Sequence, residues 1–170
     1  MAQDTTGYIH LLAAVAALLA GATIFFRRKG TMVHRCLGYV YAVAMVTVVT
    51  TALMIYRLTH AFNILHFFAV AATPPLLAGL AAAVFRRPGW LARHYRWMSW
   101  SYVGLFAAFA AETATRVIVP YCREHFGITS RGFFWVLVFV MTALVTFIGS
   151  RLIRRNEGLA DSMAAKQSAS

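Results

Sequence analysis

Five stretches of this chain are apolar over the length a helix needs to cross a bilayer, which removes most folds from consideration. They cover residues 7 to 26, 36 to 56, 62 to 85, 97 to 120 and 133 to 150, each close to the ~20 residues that cross ~30 Å of hydrocarbon. Lipid offers no partner to a bare backbone N–H or C=O, so each stretch has to be a helix. The composition agrees, with 61% hydrophobic and 12% charged residues, far from that of a soluble domain. The expectation is an all-α integral membrane helical bundle forming one domain over residues 1–155, followed by a flexible polar tail over 156–170.

The first four spans repeat a hairpin. Residues 10–35 read His10, an apolar run, Phe26-Arg27-Arg28-Lys29-Gly30 and His34-Arg35; residues 66–96 read His66, an apolar run, Phe85-Arg86-Arg87-Pro88-Gly89 and His94-Tyr95-Arg96. The two copies occupy 8–56 and 62–118, and a fifth helix over 133–155 stands outside them. An axis along the membrane normal relating the copies brings His10 toward His66 at one depth and His34 toward His94 at another.

Charge sets the expected orientation. Arg27, Arg28, Lys29, Arg35, Arg86, Arg87, Arg93, Arg96, Arg151, Arg154, Arg155 and Lys166 fall on one side, against Arg57, Arg116, Arg123 and Arg131 on the other. The positive-inside rule then predicts a multi-pass protein of the cell inner membrane with its N terminus outside and its C terminus cytoplasmic. The net charge of +11 is thereby topological and suited to anionic lipid headgroups, not to nucleic acid. Met1 to Thr6 carries Asp4 and no cation, so the first span reads as a retained helix and not a cleaved signal. Cys36 and Cys122 fall on opposite sides, which excludes a disulfide between them.

Paired imidazoles inside lipid are the donors of a haem or metal site. The cofactor-binding candidates are His10 with His66 and, second, His34 with His94, although Arg35, Arg93 and Arg96 also suit the inner pair to headgroup contact. A carboxylate far inside an apolar span is costly unless paired or ligating. Glu112 is therefore read as a structural ion pair with Arg116 four residues on, or as the third ligand of a divalent metal held by His10, His66 and Glu112. His60 and His125 read as loop residues. Pro74-Pro75 predicts a kink in the third helix. Small residues at Ala13, Ala17 and Gly21, and at Gly79 and Ala83, suit close helix packing.

The pattern His10, Gly21, Lys29-Gly30-Thr31, His34-Arg35-Cys36-Leu37-Gly38-Tyr39, His94-Tyr95-Arg96-Trp97-Met98-Ser99-Trp100-Ser101-Tyr102 and Ala111-Glu112 to Arg116 resembles a bacterial family of small predicted membrane proteins catalogued as a domain of unknown function. The likeness covers residues 8 to about 118. Histidines paired from alternate helices at two depths are also similar in arrangement to the two-haem, ascorbate-reducible cytochrome b proteins. That second likeness implies haem b, transmembrane electron transfer and a quinone or ascorbate as electron donor. The two layers lie ~25 to 30 Å apart at ~1.5 Å per residue, which favours one occupied site over a two-haem wire.

Three readings follow. The first is a redox protein binding haem b or, alternatively, a divalent metal ion. The second is a non-catalytic accessory subunit of a larger membrane complex. The third is a small transporter or lipid-binding protein. Membrane lipids are expected partners, with quinone, other subunits or a second copy as further candidates. No phosphate-binding loop, nucleophile elbow or HExxH helix is present.

Overall fold

The computed structural model describes residues 2–55 and 64–168. Their helices are α1 (Ala2–Phe26), α2 (Met32–Met54), α3 (Ile64–Phe85), α4 (Trp90–Thr113), a π-helical turn (Ala114–Ile118), α5 (Val119–Phe126) and α6 (Arg131–Ser168). Among the described residues, five spans are long and apolar enough to cross a membrane, the fourth being one rod from Trp90 to Phe126.

Local chemistry sets the helix ends at the basic loops. Lys29 folds back so that its Nζ donates to the carbonyls of Ile24, Phe25 and Arg27 at 2.7, 3.0 and 3.2 Å, covering the orphan acceptors at the end of α1. Partial burial lowers the pKa of this lysine. Gly30, at φ 79°, turns the chain, and the Thr31 hydroxyl accepts from the His34 N–H at 3.2 Å to cap α2. Gly89, at φ 71°, plays the turning role before α4.

Several ends differ from the sequence reading. α2 begins at Met32 and α4 at Trp90, so His34 and His94 sit within helices. Arginines on an opening turn snorkel to the surface and do not end a membrane helix. The fourth rod also runs past 120 to Phe126, and α6 continues through the polar tail to Ser168. An Arg96–Glu157 ion pair of 2.8 Å ties that extension to α4. α3 carries Pro74 and Pro75 without ending.

The first four long helices form a ring in the order α1, α2, α3, α4, and α6 packs on the outside of α4. The diagonal pairs are therefore α1 with α3 and α2 with α4. Small residues make this packing close: Ala17, Ala20 and Ala44 are buried with Met45, Leu76 and Leu105 in one core. A Cβ at Gly21 would run into the Tyr102 ring, one at Gly79 into the Met98 sulfur, and one at Gly149 into Val103.

Across the α2–α4 diagonal, the buried hydroxyls of Tyr41 and Ser101 lie 2.9 Å apart. These residues are 60 positions apart in the chain, the same offset that relates His34 to His94. Each histidine precedes its polar partner by seven residues, or two helical turns, on the same face. The duplicated hairpin thus places equivalent residues of α2 and α4 opposite one another.

Candidate functional site: two histidine layers

At the basic end, His94 Nδ1 lies 2.8 Å from the Gly79 carbonyl oxygen. A carbonyl only accepts, so Nδ1 carries the proton, which in the neutral ring leaves the lone pair on Nε2. Gly79 permits this approach because any Cβ there would collide with Met98 on the same face of α4. His34 occupies the equivalent position on α2, two turns from Tyr41, with His94, Lys29 and Arg35 in electrostatic range. Its Nδ1 is buried and has no hydrogen-bond partner among the described residues. Such a bare nitrogen costs ~1–3 kcal/mol.

At the other end, His10 Nδ1 lies 2.9 Å from Thr51 Oγ1. The Thr51 hydroxyl donates to the Thr47 carbonyl at 2.6 Å, so it accepts from the Nδ1–H of His10. That leaves His10 Nε2 facing Glu112 Oε2 at 3.9 Å, while Glu112 Oε1 lies 2.7 Å from Arg116 Nη2. Side-chain exposure rises from 16% at His10 to 23% at Glu112 and 67% at Arg116, so the row leads from the interior to the surface. The π-helical turn starts at Ala114, two residues after Glu112, and such turns recur where a helix is remodelled around a site. An apolar cavity of about 60 Å³, lined by Phe68, Ala72, Phe109 and Met45, ends at His10 and Glu112.

His66 is buried at 2% exposure on α3. The structure does not gather His10, His66 and Glu112 into a metal-binding set: among the described residues, no three His, Cys, Asp or Glu side chains come together. His125 lies on α5, with its ring stacked 4.1 Å from Tyr121 and its Nδ1 donating to the Tyr121 carbonyl at 3.1 Å. Cys36 and Cys122 are free thiols. His60 and Arg57 lie outside the described residues. Sequence reasoning missed Thr51 and the Gly79 carbonyl, the two atoms that orient His10 and His94. Only the seven-residue spacing from each histidine to Tyr41 and Ser101 carried a readable signal.

Residues 7–151 match a family model described as "Predicted membrane protein (DUF2306)". The chain belongs to this DUF2306 family. The match takes in all four of the histidines at positions 10, 34, 66 and 94 and reaches into all five spans, beyond the residues 8–118 over which the resemblance was read. As a DUF2306 member the chain is an integral membrane protein of lipid-facing helices. No curated protein and no solved structure matches it, so the likeness to two-haem cytochrome b proteins gains no support.

Proposed function

We propose that this DUF2306 protein is an electron carrier that would bind haem b between α2 and α4, where His34 and His94 would hold it. The observation that carries this reading is the bare, buried Nδ1 of His34 beside a His94 whose own Nδ1 is already committed. Fixing one ring nitrogen on a carbonyl is how a ligating histidine is oriented and made more basic. The donor set also favours haem over a divalent ion. A structural or catalytic zinc asks for three or four protein ligands, whereas a haem needs only axial ones.

Haem, when bound, supplies a reversible one-electron couple. His94 holds its ring by donating to Gly79, Tyr41 and Ser101 close the diagonal two turns deeper, and Lys29 and Arg35 bring positive charge to the His34 side. That charge suits the two propionates of the macrocycle. The excess of lysine and arginine supports a cytoplasmic position for this end and for the C terminus, in an inner membrane. Quinone and additional subunits stay as candidate partners.

The test is a reduced-minus-oxidised absorbance spectrum, with metal analysis, of protein purified gently from its native membrane. Sharp b-type bands that disappear in His34→Ala and in His94→Ala are the expected result. A folded, colourless, metal-free wild type overturns the reading in favour of the accessory subunit.

A further inference from the structure

The two basic loops have nearly the same sequence but are put to different uses. In the first, Lys29 turns inward onto the α1 carbonyls. In the second, Arg86 takes φ 44° and places its guanidinium 5.5 Å over the Trp90 ring, while Arg87 and Arg93 border a groove between α3 and α4. The groove has a volume of about 500 Å³, a floor of Ala78, Ala81 and Ala82, and a wall formed by Trp97. That volume falls within the ~300–1,000 Å³ of small-molecule sites. Spacing of i, i+3 and i+4 puts the three alanines on one helix face, with Phe85 following them at the loop end of the groove.

We infer that this groove holds one anionic glycerophospholipid, its acyl chain along the alanine floor and its phosphate at Arg87 and Arg93. Arg93 Nη2 donates to the Arg87 carbonyl at 3.1 Å, which sets the guanidinium across the loop. A guanidinium has five N–H donors, so others remain for two phosphate oxygens in the bidentate fashion that arginine favours. The charge is complementary to an anionic headgroup, the floor to a hydrocarbon chain, and Trp97, at 39% exposure, offers an indole of the kind that concentrates at the headgroup level. Neither His34 nor His94 lines this groove, and the inference stands whether or not haem binds.

Native mass spectrometry of the purified full chain, titrated with phosphatidylglycerol or phosphatidylcholine of matched chains, tests it. The expected result is one retained phosphatidylglycerol, bound about tenfold more weakly by the Arg87→Gln/Arg93→Gln variant and with wild-type strength by Arg27→Gln/Arg28→Gln in the sister loop. Ala81→Phe, which keeps both arginines and blocks the floor, also loses the lipid. Equal retention of the two lipids, equal loss from the two arginine variants, or full binding by Ala81→Phe overturns the proposal.

Discussion

At the basic end of the bundle, His94 gives its Nδ1–H to a backbone carbonyl, with His34 at the equivalent position on the diagonal helix; at the other end, His10 gives its Nδ1–H to Thr51 and has Glu112 3.9 Å from its Nε2. The offset of 60 positions that matches His34 with His94 and Tyr41 with Ser101 continues along α2 and α4, and there it pairs Thr51 with Ala111 and Ala52 with Glu112. One layer keeps the same donor in both copies of the hairpin. The other has lost its symmetry, because each polar atom that answers His10 has an alanine as its counterpart. A duplicated fold supplies two equivalent layers at no cost in design, and the chemistry then separates by substitution on only two helices.

The largest expected effect breaks the comparison outright. His94→Ala lowers haem content per folded chain at least tenfold, while His10→Ala leaves the spectrum near wild type; haem analysis against total protein measures both. The opposite pattern moves the site to the His10 layer. Next comes Glu112→Ala, which leaves His10 Nε2 facing no acid and Arg116 without its carboxylate. Breaking a fully buried pair costs ~3–5 kcal/mol, but Arg116 is mostly exposed and turns to water, so about 1 kcal/mol is expected, read as a lower thermal midpoint in detergent. Arg116→Gln, which removes the exposed partner, has the smaller effect. A neutral Glu112→Ala makes the row a surface feature with no hold on His10.

Thr51→Val sharpens the contrast in orientation. The isostere keeps the volume but removes the acceptor of the His10 Nδ1–H, costing about 1 kcal/mol and freeing the ring tautomer. Nitrogen-15 NMR of the imidazole detects this as loss of a fixed Nδ1–H signal at His10 alone. An unchanged spectrum means that Thr51 does not set the tautomer.

The fold was legible because the constraint behind it is severe. A run of ~20 apolar residues in lipid has one secondary structure open to it, so the five spans and their order follow from the sequence. The repeated Arg-Arg and Gly positions likewise marked the two copies of the hairpin. Helix ends were less legible, since Arg93 and Arg96 look like loop charges until Gly89 is seen to start α4 ahead of them. What orients each ring was not legible at all. The Gly79 acceptor is a backbone atom with no letter in the sequence, and Thr51 is one hydroxyl in the run Thr47-Val48-Val49-Thr50-Thr51. Which threonine faces His10 depends on helix rotation.

The smallest expected effect tests the geometry on which the comparison rests. The Tyr41 and Ser101 hydroxyls, buried at 2% and 0% exposure, are the direct polar link between α2 and α4. Tyr41→Phe removes one partner while keeping the ring against Tyr102, whose centroid lies 6.4 Å away, so the change isolates the hydrogen bond. Such bonds between membrane helices are worth ~0.6 kcal/mol on average and ~1.7 at most. A double-mutant cycle of Tyr41→Phe with Ser101→Ala therefore gives a coupling of about 0.6 kcal/mol, measured by reversible unfolding in detergent. A coupling of zero means that the hydroxyls do not meet. His34 and His94, two turns away on the same two faces, would then have no reason to meet either, and the basic layer would lose its claim to be a ligand pair.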